Sequence, residues 1–350
     1  MRNFTFKGLF LTAVFMLLGC LSIQAANDDL ITKQITIKLD EAGTLPDRIG
    51  SSRKYKITNL KLVGEINGTD WSMIREMAGR DYRGDVTEGN LSVLDLSEAK
   101  IVEGGDYYYN NNNSYTSNDN IGSYAFYGCR GLTSLTLPAG ITSIGDYAFH
   151  GCSRLTSLNL PAGITSINDD TFSGCSGLTS LTIPAGITSI GSGAFYGCRG
   201  LTSLNLPAGI TSISYNAFYG CSGLTSFTLP AGITEIGSSA FYGCNGLASI
   251  YMYSEKVPKM GKDVFKDCDA KKCTVYVPKG TYDDYWLSDF GYYFENIVEF
   301  EATGIDKTTT STDIEEVSRY SVNGQRLVGP TKGLNIVKYS NGSVKKVAVE

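Results

Sequence analysis

The sequence predicts an α/β to mainly β solenoid, in which short parallel strands stack coil upon coil. The first observation is a period: between Ile121 and Met252 one 23-residue phrase recurs six times, which is typical of a solenoid. The second is that every copy repeats the same apolar positions. In the first copy these are Ile121, Ala125, Phe126, Cys129, Leu132, Leu135, Leu137 and Ile141. One coil buries too few side chains to offset the entropy of ordering it, so the coils must cover one another.

Cysteines follow the same period. Six of them lie 23 residues apart and Cys268 follows after 24; the six are Cys129, Cys152, Cys175, Cys198, Cys221 and Cys244. The spacing Leu132-x-x-Leu135-x-Leu137 is that of a leucine-rich-repeat strand. Its alternation directs Ser134 and Thr136 outward. After Pro138 ends the strand, residues 141–144 predict a second extended segment, and the phrase Ala-Phe-Tyr-Gly-Cys at 125–129 predicts a helical turn closed by glycine.

Residues 1–25 have the form of a signal peptide. Arg2 and Lys7 precede an apolar run of about 12 residues, and Ser22 to Ala25 offers a small-residue cleavage site. The run is too short for a membrane span. Leu17-Leu-Gly-Cys20 also resembles a lipobox, so acylation of Cys20 and ordinary cleavage both stay open.

Residues 26–90 predict an N-terminal cap. Alternation favours strands at 35–39 and 57–62, and Thr69-Asp70 suits the start of a helix over 71–78 that Gly79 ends. Residues 91–252 are the leucine-rich-repeat solenoid, with a degenerate leading repeat at 91–96. A polar, tyrosine-rich stretch at 107–115 is either a tolerated insertion or a contact loop of exposed tyrosines.

Residues 253–301 predict a degenerate repeat and a C-terminal cap, with strands at 274–277 and 296–300 and a short helix over 282–290. A threonine-rich linker at 302–317 leads to a small β domain at 318–350. There Asn323-Gly324 and Asn341-Gly342 are strong hairpin turns between alternating strands.

The repeated phrase and both caps resemble the BspA-like leucine-rich-repeat surface proteins of the Bacteroidetes. The resemblance implies a secreted or surface-displayed binding protein that adheres to proteins of a host or of neighbouring cells. The tail at 318–350 resembles the C-terminal sorting domain of type IX secretion, although Glu350 departs from the commoner basic ending. That likeness implies export across the outer membrane, and an ordinary β appendage is the alternative.

Charge and composition narrow the class of partner. The net charge is −5, and removing residues 1–25 makes it two units more negative, which argues against nucleic acid. Only seven charged residues fall between positions 121 and 250: Arg130, Asp146, Arg154, Asp169, Asp170, Arg199 and Glu235. Such a polar, weakly charged surface suits protein or glycan contact. The sequence calls for no cofactor, and a lipid on Cys20 is the one membrane contact it suggests.

Cysteine and histidine chemistry finds little support. Evenly stacked cysteines point alike rather than at each other, so buried structural thiols are favoured over disulfides; Cys268 and Cys273 are the one pair worth testing. No Cys-x-x-Cys pair with histidine suggests a metal site. His150 is the single histidine, and no nucleophile recurs beside it, so it reads as a tyrosine substitute.

Two rows are candidate binding surfaces. The first, which we call the tyrosine edge, follows the repeated phenylalanine and comprises Tyr127, His150, Tyr196, Tyr219 and Tyr242, with Ser173 in the same slot. The second, the strand face, comprises Thr136, Asn159, Thr182, Asn205, Thr228 and Tyr251. A packing ladder is the structural alternative for the edge. The uniformity of both rows argues against a highly discriminating site.

Four functions follow as hypotheses. The first is a non-enzymatic adhesin that binds an extracellular protein, from host matrix or bacterial surface, through the solenoid. The second is a glycan-binding module. The third, a polysaccharide lyase, would need clustered carboxylates for calcium and a basic residue; the repeats contain one acidic pair, Asp169-Asp170, and no lysine. The fourth is a structural coat or spacer.

Overall fold

The fold is a stacked series of coils built on parallel strands, seen here in a computed structural model. The structure describes residues 29–110, 114–269 and 271–301, together with the tail segments 316–321, 326–327, 332–339 and 344–349. Two compact units divide the chain, one up to Glu299 and one from Phe300. Cys20, the rest of the signal segment, and the Asn323-Gly324 and Asn341-Gly342 turns lie outside the described residues.

The first unit carries two rows of strands, and each 23-residue repeat contributes one longer and one shorter strand. The longer strands are Ile35–Leu39, Asn59–Ile66, Val93–Ile101, Ser134–Thr136, Ser157–Asn159, Ser180–Thr182, Ser203–Asn205, Ser226–Leu229, Ser249–Met252, Thr274–Pro278 and Asn296–Phe300. The shorter are Asn120–Ile121, Ser143–Ile144, Ser166–Ile167, Ser189–Ile190, Ser212–Ile213, Glu235–Ile236 and Lys259–Met260. The predicted mainly β solenoid with 23-residue repeats is confirmed.

Register in the longer strands is parallel and in step with the repeat. Leu94 pairs with Leu135, and Leu204 pairs with Phe227, which in turn pairs with Ile250. Ser134 and Thr136 are exposed on either side of the buried Leu135, as predicted. The strands of the N-terminal cap join the same sheet, since Asn59–Ile66 pairs with Val93–Ile101. The second strand of the cap therefore begins and ends later than the predicted 57–62.

A column of phenylalanine rings fills the core. Neighbouring centroids lie 5.1–5.5 Å apart in the run Phe126, Phe149, Phe172, Phe195, Phe218, Phe241 and Phe265. These rings are buried, and so are the cysteines, leucines and isoleucines that surround them in each coil. Stacked rings of this spacing fall within the favoured range for aromatic pairs.

The segment that carries each phenylalanine is a chain of tight turns, so the predicted helical turn is wrong. The amides of Ala125, Tyr127 and Cys129 donate three residues back within the coil. The intervening amides, of Phe126 and Gly128, donate to carbonyls of the next coil. A helix would direct every amide along its own axis, and the stack needs alternate amides for cross-coil bonds. Gly128 does end the segment, with φ of +71°.

Helix Gly68–Met77 covers the first coil. Its N-cap is Asn67, whose side chain accepts from the Thr69 amide, so the predicted start at Thr69-Asp70 is too late. The buried Trp71 ring contacts Phe126 at 5.3 Å and donates to the Ala125 carbonyl. Arg75 is buried and donates to the Tyr124 and Ala125 carbonyls. A second short helix, Leu45–Ile49, precedes it in the chain.

The tyrosine-rich stretch contains two paired strands. Strands Gly104–Tyr109 and Ser114–Thr116 pair antiparallel. Tyr108 and Tyr109, in the first of these strands, are buried, whereas Tyr115, in the second, is exposed. The idea of a loop of exposed tyrosines is therefore wrong for Tyr108 and Tyr109, since helix Gly68–Met77 supplies the surface that covers them.

The C-terminal cap covers the other end of the phenylalanine column. Two short helices, Tyr282–Trp286 and Asp289–Tyr293, replace the single predicted helix because the Ser288 side chain caps the second. Phe290 and Phe294 contact Phe265. The second unit holds an antiparallel sheet of strands Glu316–Ser321, Arg326–Leu327, Gly333–Tyr339 and Val344–Val349.

Candidate functional site

The tyrosine edge is built by the backbone ladder of the turn segments. In each coil the glycine after the edge residue donates to the carbonyl of the next edge residue, at 2.7 Å from Gly128 to His150, from Gly151 to Ser173 and from Gly174 to Tyr196. The same bond continues to Tyr219 and Tyr242. The predicted row therefore exists. We call each position of this row, one per coil, a rung, and Ser173 occupies one of them.

Rings on the edge stack in two groups. Tyr127 and His150 lie 4.8 Å apart with 13° between their planes. Tyr196, Tyr219 and Tyr242 form the second group, with centroid distances of 4.7 Å at both steps. Because the faces within a group cover each other, the groups present ring edges and hydroxyls to solvent.

Ser173 separates the two groups. Its side chain is buried and carries no ring. Tyr196, the first ring after the gap, is 41% exposed, more than any other ring on the edge. An uncovered face accounts for that difference, since Tyr219 is covered by a ring on each side.

Charged groups lie near both ends of the edge. Burial lowers the pKa of His150, with the Asp170 carboxylate acting in the opposite direction. The same carboxylate raises the pKa of Tyr147. At the far end, a hydrogen bond to Asp267 raises the pKa of Tyr242 to about 12, and the Lys266 ammonium lies 5.8 Å from the Tyr242 ring. The Asp170 carboxylate belongs to the coil of Ser173, so this charge lies near the middle of the edge.

The strand face is a flat row of small polar side chains. Its first four members, Thr136 to Asn205, are exposed, while Thr228 and Tyr251 are partly exposed. A second outward row of serines runs beside it. Tyr251 stacks on Tyr276 at 4.6 Å, so the aromatic end of this face is a ring pair. Tyr276 escaped the sequence reasoning, although it holds the position in Thr274–Pro278 that Tyr251 holds in Ser249–Met252.

A second group of aromatic side chains adjoins the tyrosine edge. Tyr124 and Tyr147 stack at 5.0 Å with 3° between their planes, and Tyr109 stacks on Tyr124 at 5.1 Å. The sequence signal was available, since Tyr124 and Tyr147 lie 23 residues apart. A cleft of about 350 Å³ between Tyr108, Tyr115 and Asp146 opens beside them.

The cysteines form an interior column of free thiols, as expected. Each thiol from Cys152 to Cys268 donates to the phenylalanine carbonyl of the preceding coil, at 3.0–3.2 Å. Burial raises the pKa of Cys198 and its neighbours, so they are poor nucleophiles. Cys268 and Cys273 are also free in this structure.

No arrangement for catalysis or metal binding is apparent in the described ranges. There, no three His, Cys, Asp or Glu side chains come together as metal ligands. The His150 Nδ1 atom is buried and has no hydrogen-bond partner, so nothing orients the ring as a general base. The residues described also include no helix with the length and apolar character of a membrane span.

The repeats match a known family. A model of the BspA type leucine-rich-repeat region matches six copies, over residues 105–224 and 165–284. Together these ranges cover positions 105–284, just over half of the chain. The chain belongs to the BspA-type leucine-rich-repeat family. Proteins of this family are typically found on bacterial cell surfaces and are generally non-enzymatic binding proteins.

Solved structures of similar chains come from several bacteria. A leucine-rich-repeat protein of T. pallidum is 30% identical; the match covers 51% of this chain and 79% of that one, with a TM-score of 0.44. A Bacteroides ovatus leucine-rich-repeat protein is 21% identical over 53% of this chain and 66% of that one, at 0.30. A leucine-rich cell surface protein of Faecalibacterium prausnitzii is 18% identical over 71% and 89%, at 0.35. Comparison with curated proteins gives no match.

Proposed function

We propose that this BspA-type chain is a non-enzymatic binding protein, displayed on the cell surface or secreted, that adheres to an extracellular protein through its tyrosine edge. The partner would be a host matrix protein or a protein of a neighbouring bacterial surface. Family membership supports a binding role, and the tyrosine edge supplies the location on the solenoid.

The observation that carries the proposal is the stacked group Tyr196, Tyr219 and Tyr242. Tyrosine offers a large contact area with a polar end at a small entropy cost. Here the rings are fixed by their neighbours at 4.7 Å before any partner arrives. Binding therefore loses little further rotamer freedom, which is the usual advantage of a pre-organised surface.

Charge supports a protein partner reached without electrostatic steering. Between Tyr196 and Tyr242 the chain carries only Arg199 and Glu235 as charged residues. Aromatic side chains are enriched at the centres of protein interfaces, and charged ones are depleted there. Affinity should consequently change little with salt.

A glycan-binding module is the second candidate, and the strand face favours it. Tyr251 and Tyr276 form a ring pair at the end of a row of exposed threonine and asparagine side chains. Hydroxyl and amide groups beside an aromatic platform are the groups that hydrogen-bond and stack with sugars.

Location and processing complete the proposal. Residues 1–25 would direct export, with either removal of the segment or acylation of Cys20. The tail at 318–350, whose strands form an antiparallel sheet, would serve as a type IX sorting domain. Mass spectrometry of the mature protein tests both, because it reads the two ends of the chain at once.

Binding assays with paired variants test the proposed surface. The full-length mature protein is screened against immobilised matrix proteins, bacterial surface proteins and a glycan array. Y196A/Y219A should weaken protein binding at least tenfold, whereas T182A/N205A on the strand face should not. Protein binding that survives Y196A/Y219A would exclude the tyrosine edge, and glycan binding lost in T182A/N205A would favour the second candidate. A chain that binds nothing in either screen would be a coat or spacer.

A further inference from the structure

We propose that the Ser173 position of the tyrosine edge is a slot that receives one aromatic side chain, tyrosine or tryptophan, from a protein partner. The inference deepens the proposed function and rests on it for the identity of the partner as a protein.

Backbone register places the slot between two rings. The Gly151 amide donates to the Ser173 carbonyl and the Gly174 amide to that of Tyr196, both at 2.7 Å. His150, Ser173 and Tyr196 therefore occupy three successive rungs. Each of the other described rungs from Tyr127 to Tyr242 carries a ring, so Ser173 is the one position where the ring is missing.

The spacing of the rungs fits a flat ring. Adjacent rings on the edge are 4.7–4.8 Å apart. Two steps make the gap between His150 and Tyr196 roughly 9.5 Å, given strand spacing near 4.8 Å. A ring inserted midway meets each wall at about 4.7 Å, within the range favoured by aromatic pairs. A pyranose chair is thicker, because axial hydrogens project from both of its faces.

Exposure differs between the ring wall and the residue beneath the slot. Tyr196 is the most exposed ring of the edge, although it stacks on Tyr219 on its other side. Ser173 is only 4% exposed, so neighbouring side chains cover it and an entering ring must displace them. The residue beneath the slot therefore has a hydroxyl group, and the walls are aromatic.

A carboxylate beside the slot favours a ring with a hydrogen-bond donor. Each of these rungs has a neighbour three residues earlier in the chain. Tyr147 precedes His150, Asp170 precedes Ser173 and Gly193 precedes Tyr196. The Asp170 carboxylate lies beside Gly193, where a Cβ atom would come within 2.7 Å of Oδ1, and it accepts a hydrogen bond from the Tyr147 hydroxyl. A carboxylate can accept further bonds, so a tyrosine hydroxyl or an indole N–H entering the slot can donate to it, and phenylalanine cannot. The slot consequently prefers tyrosine or tryptophan.

His150 provides a direct test, because it is the only histidine in the sequence. Its Hε1 resonance is followed by NMR while N-acetyl-L-tyrosinamide is added to the full-length protein. We expect an upfield ring-current shift that saturates at millimolar concentration, and a smaller one with N-acetyl-L-phenylalaninamide. Filling the slot with S173Y should abolish the shift. T182Y, which adds the same side chain to the strand face of the same coil, should leave it unchanged.

Several outcomes would overturn the slot. These are an absence of any shift with wild type, an undiminished shift in S173Y, or a larger shift with methyl β-D-glucopyranoside. If S173Y fails to fold, as judged by circular dichroism, Y196A takes its place. Removal of that wall should weaken the interaction at least fivefold, and unchanged affinity would also overturn the proposal.

The test is separable from that of the proposed function, because it needs no macromolecular partner. A shift that behaves as expected in a chain that binds no protein would retain the slot and reject the adhesin. Protein binding that depends on Tyr196 and Tyr219, with no shift of His150, would retain the adhesin and reject the slot.

Discussion

The Cys175 thiol donates a hydrogen bond to the carbonyl oxygen of Phe149 in the preceding coil, with Sγ and O 3.0 Å apart. The same bond recurs from Cys152 to Cys268, so the cysteine column links each coil to the one before it. Both partners belong to the dry interior, where the weak S–H donor has no competition from water. The cysteines thus have a structural role that does not require oxidation.

Slow reaction with alkylating agents should follow from this burial. Burial raises the pKa of Cys175 to about 12, so at pH 8 almost no thiolate is present in the native chain. Mass spectrometry after iodoacetamide treatment should find Cys175 unlabelled in the folded protein and labelled in urea. The partly exposed Cys268 should be among the first to label. Rapid alkylation of Cys175 without denaturant would contradict the buried column.

Removing one ring from the phenylalanine column should be costly. Phe195 lies 5.5 Å from Phe172 and 5.1 Å from Phe218, and it is fully buried. F195A should lower the free energy of unfolding by about 3–5 kcal/mol, because it leaves a cavity that neighbouring coils cannot close. Urea denaturation measures the change. The matched control is Y215A, whose side chain is 56% exposed and whose loss should stay within about 0.5 kcal/mol.

The Asp70 carboxylate should hold the N-terminal cap together. It is buried and accepts from the amides of Gly43, Leu45 and Asn67, at 2.6, 2.9 and 2.9 Å. D70A leaves these amides without an acceptor and should cost about 3 kcal/mol. Faster hydrogen exchange at Gly43 and Leu45 should accompany the loss. D106A removes an exposed carboxylate beside the same helix and should leave both measurements near wild type.

Acid should destabilise the fold through His150. Burial lowers its pKa below the ordinary 6.5, so the unfolded chain binds the proton more readily than the folded chain. The stabilisation is therefore complete above pH 6.5 and is lost as the pH falls through the lower folded pKa. H150Y, which restores the ring found in neighbouring coils, should lose less stability than wild type on acidification.

Urea denaturation at a series of pH values compares the two proteins. NMR titration of the His150 Hε1 resonance measures the folded pKa directly. The carboxylates common to both chains contribute equally, so the difference isolates the histidine. A titration midpoint above 6.5, or equal acid sensitivity of the two proteins, would contradict the assignment.

The structure divides the tyrosine edge into two groups of stacked rings. Sequence reasoning placed five residues in one row, with Ser173 in the same slot: Tyr127, His150, Tyr196, Tyr219 and Tyr242. The row is present, but the rings form two stacked groups with an opening at Ser173. A position that departs from the repeat in sequence is, in three dimensions, the break between the two groups of stacked rings.

By itself the sequence determined the period, the parallel strands, the buried columns and the outward rows. Those features depend on local alternation and on a fixed 23-residue spacing, both of which are visible in one dimension. The tertiary structure decided which amides bond within a coil and which bond to the next. Residues 125–129 therefore form tight turns instead of the predicted helical turn. It also decided that Tyr108 and Tyr109 are buried, because the helix that covers them lies about 30 residues away in the chain. Contacts of that kind depend on packing between distant segments, which local pattern does not encode.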